Sequence, residues 1–439
     1  MENLSFYLVT DTHFFSPFYS REGEAYEKRS VTDQKCVAET PAIVDAGFEQ
    51  IAKDKDTNII LIPGDLVYRG EYQSHVDLRE KLYKLQDEGK KIYLITARHD
   101  YEGESVEFIG DKVVDVKGMP RDELRDFYKD FGFDGAISEH KKSMSYVAQI
   151  ADGVRLLALN CDGDCKDFKG IWDDQMEWAL EEIKKAHESG NYIFAMTHYP
   201  LLPFSPIMNL IGDAHLTDWE KTANTLADAG LDLIFTGHMH AQAVTDYVTE
   251  KGNKITDVQT ACFVGCPCAY RKVTFKDKNT LDIKSYTIDD FDYDKKGKTA
   301  KEYFQWRFDR MIDYKMHEIL PKPVMNILNK LTVKKVCNLL WFNPDKSIQN
   351  IIAKDLGIEL VRNIFVGNEP YVKGTPIYDA FEKLLKRLHP ITHIIEKKMG
   401  KKNEILSDFD SFILDMIGDE KQRDWDLTLD INKENFDIN

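Results

Sequence analysis

Over the first 290 residues, short apolar runs of strand length alternate with segments whose apolar residues recur at helical spacing. Residues 5–10, 58–62, 92–96, 192–197 and 231–236 are nearly continuous in aliphatic, β-branched and aromatic side chains, the pattern of strands buried on both faces. Between them, 37–53, 73–88 and 121–131 read as helices. Asp173 or Asp174 caps another helix, with Met176, Ala179, Leu180 and Ile183 on one face. Thr217 and Glu220 form a capping box for a helix that stops at Gly230. Segments 144–150 and 154–160 predict a hairpin turned at Asp152-Gly153, and 255–260, 270–275 and 281–287 predict antiparallel strands. Alternating strands and helices imply βαβ crossovers. The stretch 289–298 is charged and aperiodic and reads as a linker. Beyond it the pattern is helical, as where Thr375-Pro376 opens a segment with Ile377, Phe381, Leu384, Leu385 and Leu388 on one face. The expected organisation is therefore an α/β domain over 1–290 and a C-terminal α-helical domain over 298–439.

Composition narrows the function. With 439 residues, two domains are the expectation. A net charge of −17 argues against a general nucleic-acid binder, which gains affinity by neutralising phosphates with Lys and Arg. It also means that any phosphate-handling site here needs concentrated local positive charge, which bound metal ions supply. Seven cysteines in so long a chain favour reduced thiols and a cytoplasmic setting. Met1 runs almost directly into a strand, without the pattern of a signal peptide. No apolar run reaches the length of a membrane span.

The chemistry gathers at strand ends. His238 and His240 follow the run 231–236, and residues two apart in an extended segment point the same way. Asp11 and His13 follow the first strand in the same way. Asp65 follows the second, His99 and Asp100 the third, and His198 the strand at 192–197. In open α/β sheets, ligands bind beyond the carboxyl ends of strands. A mixed carboxylate and imidazole set suits Zn, Fe or Mn, and two such ions about 4 Å apart suit hydrolysis of a phosphate ester.

The ordered series Asp11-Thr12-His13, Gly64-Asp65, His99-Asp100, His198 and Gly237-His238-Met239-His240 resembles the calcineurin-like metallophosphoesterase family, with its motifs D-x-H, G-D, G-N-H-D/E, H and G-H-x-H. The resemblance spans roughly residues 4–290. It implies a four-layer fold with two mixed β-sheets between helices, and a two-metal hydrolase site. Carried over by motif, Asp11, His13, Asp65 and His240 would hold one metal, and Asp65, His198 and His238 the second. His99 would be proton donor or phosphate contact, oriented by Asp100. The implied reaction is in-line attack of metal-bound hydroxide on a small phosphorylated substrate, a phosphodiester before a protein phosphomonoester.

One position departs from the family. The motif asparagine that would ligate the second metal is Arg98, which offers only hydrogen-bond donors. The second ion can then bind with water or another group in that slot. Alternatively the site is mononuclear with the guanidinium as surrogate charge, or Arg98 clamps the substrate phosphate. One or two divalent ions per chain are thus expected, with Arg98 close to the phosphate and the second site weakened. The rival function is a non-catalytic binding module on the same fold, and a single-stranded nuclease is disfavoured by the charge.

Other residues carry blander expectations. Cys262, Cys266 and Cys268 lack a usual zinc spacing and read as small structural residues; Cys161 and Cys165 read as loop thiols. Asp162 sits at the pocket rim or in a loop. Phe14, Phe15, Phe18, Tyr19 and Tyr26 build either a substrate wall or a satellite core. The helical domain covers the pocket, mediates oligomers or recruits a partner.

Overall fold

The computed structural model describes residues 4–163, 169–210, 212–277, 279–319, 322–399, 408–419 and 421–431. The chain opens with β1 (Ser5–Leu8), β2 (Arg21–Glu22), α1 (Glu24–Thr32), α2 (Thr40–Lys53), β3 (Ile59–Pro63), α3 (Tyr72–Asp87) and β4 (Lys91–Ile95). A small excursion follows: β5 (Val106–Ile109), β6 (Lys112–Asp115) and α4 (Arg121–Phe127). Next come β7 (Ser138–His140), the hairpin β8 (Ser145–Ala151) and β9 (Val154–Ala158), α5 (Asp173–Glu188), β10 (Tyr192–Met196), α6 (Trp219–Asp228) and β11 (Leu233–Thr236). The strands β12 (Ala243–Val248), β13 (Lys254–Gln259), β14 (Ala269–Phe275) and β15 (Thr280–Thr287) precede helices α7 (Ala300–Ile319), α8 (Lys322–Leu328), α9 (Val333–Leu339), α10 (Ala353–Val366), α11 (Pro376–Met399) and α12 (Phe409–Ile417), and β16 (Leu427–Asp430) ends the series.

Two mixed sheets make the core. One has six strands in the order β16-β15-β14-β1-β3-β4; the other has seven, β12-β13-β11-β10-β9-β8-β7. In the first, β1, β3 and β4 run parallel. In the second, β9, β10, β11 and β13 do. The sheets meet face to face: Phe6 of β1 stacks on Phe194 of β10 at 5.3 Å between ring centroids and meets Phe235 of β11 edge-on at 5.5 Å. Helices cover the outer faces, so this is the α/β fold with two mixed sheets flanked by helices that the motif series implied. A third sheet, β2-β5-β6, carries the satellite core of Phe15, Tyr19, Val37, Tyr68, Val106 and Phe108. That settles the aromatic loop in favour of a core, although Phe18 is left exposed.

Beyond residue 298 the chain is helical as expected, but two features were not legible. The main core continues across the linker into α7 through Tyr303, Phe304, Phe308, Met311 and Ile312. The strand β16 returns to pair antiparallel with β15 at the edge of the first sheet. A separate small core holds Val333, Cys337, Ile348, Leu356, Ile377 and Ala380. Among the described residues, no helix is long and apolar enough to cross a membrane.

Candidate metal centre

Parallel strands that start at one end of a sheet finish at the other, so β1, β3, β4, β10 and β11 all deliver their following residues to one rim. The backbone there turns sharply. Asp11, His13, Asp65, His238 and His240 have φ of 55°, 36°, 51°, 71° and 57°, the left-handed region that Asp and His enter more readily than most side chains. Two glycines make the approach possible. Gly64 has φ +92°, and a side chain there would press on Ala97 and His198. A Cβ at Gly237 would stand 2.6 Å from Asp11 Oδ2.

The side chains converge in two overlapping groups. In the first, His13 Nε2 lies 3.5 Å from Asp11 Oδ1, 3.5 Å from Asp65 Oδ2 and 3.0 Å from His240 Nε2. His240 Nε2 is 3.4 Å from Asp11 Oδ1. In the second, Asp65 Oδ2 is 3.2 Å from His198 Nε2, and His238 completes the set with ligand atoms mutually within 4.8 Å. Asp65 belongs to both. Hydrogen bonds fix four of these ligands from behind. Asp11 Oδ2 accepts from Thr10 Oγ1 and from the His238 backbone N–H. Asp65 Oδ1 accepts from the His99 N–H, and His198 Nδ1 donates to the Pro63 carbonyl at 2.8 Å. His238 Nε2 donates to the Asp213 carbonyl at 2.6 Å, which leaves its Nδ1 as the lone-pair nitrogen.

This arrangement asks for cations. Asp11 and Asp65 are fully buried, and among the described residues Asp11 Oδ1 and His198 Nε2 have no hydrogen-bond partner. Burial raises the carboxyl of Asp11, yet the imidazoles of His13, His240 and His198 outweigh it and hold the group well below the usual carboxylate range. Burial lowers His13 and His238 to about 4, so both stay neutral and ligand-competent. His198 goes the other way: burial lowers it, but Asp65 and Asp11 bring it up to about 9, a proton answering where positive charge is wanted. Two carboxylates and four imidazoles around two points fit a pair of divalent metal ions.

A sequence model of the calcineurin-like phosphoesterases matches residues 4–242. The chain belongs to that family. No curated protein sequence matches this phosphoesterase. Among solved structures, a dimetal phosphatase from Danio rerio aligns with TM-score 0.47 and 11% identity over 66% of this chain and 98% of its own. A purple acid phosphatase from yellow lupin (Lupinus luteus) seeds aligns with TM-score 0.45 and 15% identity over 65% of this chain and 52% of its own.

Around the metal groups of this calcineurin-like phosphoesterase, the remaining sequence-named residues take definite places. Arg98 does not point as a free clamp. Its guanidinium pairs with Asp213 Oδ2 at 2.8 Å, and Lys169 Nζ holds Asp213 Oδ1 at 2.8 Å. Asp100 bonds the backbone N–H groups of Ala97 and Val67, closing the turn that carries His99 rather than touching its ring. Asp162 is buried against Arg121 and pushed up to about 7 by burial. Cys262 lies closer to the centre than a bland residue need: its Sγ donates to the Asp11 carbonyl and stands with His13 and His240 in a ligand-sized group. Burial raises its thiol well above the ordinary range, so it stays protonated. Cys266 and Cys268 are buried, Cys161 accepts from the Tyr199 N–H, and Cys165 lies outside the described residues.

Sequence reasoning missed two residues, Asp213 and Lys35. Asp213 sits in a loop with no ligand spacing. Lys35 sits in the polar stretch between α1 and α2, where one lysine among several carries no signal. Its Nζ lies 3.3 Å from His99 Nε2.

Proposed function

We propose that this chain hydrolyses phosphate esters at the centre described above, with a small phosphodiester as the preferred substrate. The observation that carries the reading is the sharing of Asp65 between two groups of buried carboxylates and imidazoles. Asp11, His13, Asp65 and His240 would hold one divalent ion, and Asp65, His198 and His238 the other. When bound, such ions polarise the phosphoryl group and activate water.

The chain's own residues do the rest. The Thr10, Pro63 and Asp213 hydrogen bonds hold the ligands in place before substrate arrives. Burial excludes bulk water from the ligand cluster and strengthens its field. His99 stands beside the centre, bonded through its N–H to Asp65, and would protonate the leaving oxygen or contact the phosphate. In a molecule of net charge −17, Lys35 beside His99 offers a small anionic substrate a cation that no carboxylate contacts, whereas Arg98 and Lys169 share Asp213. Six free cysteines among the described residues agree with a cytoplasmic setting.

The test is turnover of bis-p-nitrophenyl phosphate and p-nitrophenyl phosphate by Mn-loaded protein, with metal per chain counted by elemental mass spectrometry. A higher kcat/KM for the diester is expected. The reverse order would move the substrate class to monoesters. Metal-loaded protein that turns over neither would leave a binding module.

A further inference from the structure

We infer that Lys35 is a phosphate-binding residue, its ammonium and the His99 ring forming a two-donor clasp for one phosphoryl oxygen. The clasp is built rather than incidental. Lys35 is only 8% exposed, and its Nζ bonds His99 Nε2 at 3.3 Å. The segment carrying it is pinned on both sides. The Cys36 N–H donates to the Val264 carbonyl at 2.9 Å, and Gln34 Nε2 reaches the carbonyls of His240 and Cys266. Asp33 turns the chain by accepting the Lys35 N–H and the Tyr68 hydroxyl. The Tyr68 ring lies 5.5 Å from the ammonium.

What the ammonium lacks is an anion in contact with it. Among the described residues no carboxylate stands within ion-pairing distance of Nζ, and Asp33, whose carboxyl burial raises but Lys35 and Arg29 hold below its ordinary range, acts on it only from farther off. A buried ammonium with no carboxylate in contact is only partly compensated. Tyr68 and an imidazole compensate only in part. The missing partner must be anionic, must reach Nζ and His99 together, and must leave again. A phosphoryl oxygen about 2.8 Å from each nitrogen meets all three conditions, because the two donors are close enough to share one acceptor.

The resting contact also explains the state of His99. An ammonium can donate to Nε2 only if that nitrogen is unprotonated, so the ring's proton sits on Nδ1. When the anion arrives, the ammonium turns from the ring to the oxygen, and the released ring, as its Nε2–H tautomer, donates to the same oxygen.

The inference rests on the phosphate-ester reading only for the identity of the anion, so its test is inorganic phosphate binding, which needs no turnover. Titration calorimetry of Mn-loaded protein with inorganic phosphate is compared for wild type, Lys35→Met and Lys35→Arg. Lys35→Met is expected to weaken phosphate by about tenfold or more, the range of one hydrogen bond to a charged group. Metal per chain stays unchanged, and Lys35→Arg recovers most of the affinity. The phosphate-free melting temperature of Lys35→Met should equal or exceed that of wild type, because the partly compensated charge is gone. Unchanged phosphate affinity in Lys35→Met overturns the inference. So does a Lys35→Met protein that fails to fold, since the lysine would then be structural. Failure of wild type to hydrolyse either nitrophenyl ester would strike the functional reading and leave the clasp to be judged by phosphate alone.

Discussion

Arg98 stands where the family's asparagine would offer an amide oxygen to the second ion. Its partner Asp213 answers it at 2.8 Å, so the guanidinium is held aside instead of projecting at a bound phosphate. The same aspartate's carbonyl anchors His238, which ties the stand-in to the second group. Replacing Arg98 by Asn restores a neutral oxygen donor and removes a cation from beside the ion. We expect Arg98→Asn to bind the second ion more tightly by tenfold or so, the scale of one supporting contact at a metal site. Metal per chain under limiting Mn reads this directly, and unchanged occupancy would count against it. All six carboxylate and imidazole positions were legible in the sequence, because Asp and His at the ends of apolar runs mark themselves by type and spacing. Lys35 and Asp213 were not, because their importance is spatial: each lies in a loop that the fold alone carries to the rim.

At the scale of elements, the strand ends are clamped from beneath by a buried acid. Asp257 of β13 accepts the N–H groups of Leu201 and Leu202, just after His198, and the hydroxyl of Thr236, just before Gly237. It therefore joins the β10 and β11 ends that carry three of the six candidate ligands. Burial pushes its carboxyl up to about 6, against the hydrogen bonds that lower it. The folded chain therefore binds this proton more tightly than the unfolded chain does. Stability is fully kept at low pH and lost as pH rises from about 4 to 6, with no further change above. Asn keeps the acceptor oxygen and has no proton to lose. Measured by urea unfolding, the stability of Asp257→Asn relative to wild type should rise by up to about 3 kcal/mol between pH 4 and pH 7. A difference that is flat with pH would refute it. The other strands were read to within two residues at either end, but β2, β5, β6, β7, β12 and β16 were not read. Those strands are short or mostly half-exposed, and their polar residues hide the apolar alternation that a sequence reader relies on.

For the whole molecule, the change from mixed sheet to helix near residue 290 is plain in the sequence, whereas the path of the core is not. Periodicity reports which face of α7 is apolar but not what it packs on, and it lies on the main core. Tyr303 bonds the buried Glu39 through its hydroxyl, and Arg307 pairs with the same carboxylate at 3.4 Å, fastening α7 beside the segment that carries Lys35. Ending the chain at residue 297 would remove five buried apolar side chains and uncover the core surface they pack on, a loss on the order of 10 kcal/mol of burial, comparable to the whole stability of a domain. We expect the 1–297 fragment to be insoluble or to lack a cooperative melt. A fragment that melts like the full chain would show that the sheets stand alone.

The left-handed backbone at Asp11, His13, Asp65, His238 and His240 has a meaning beyond geometry. Each such residue costs on the order of 1 kcal/mol that glycine would avoid, and two of them bury a carboxylate besides. For the fold taken alone, replacement by glycine at these five positions runs downhill, toward sequences that are sturdier and silent. A lineage released from its chemistry would lose the centre through substitutions that the fold itself rewards. The residues at this rim are therefore a running record of demand, held against the grain of stability for as long as the reaction is needed.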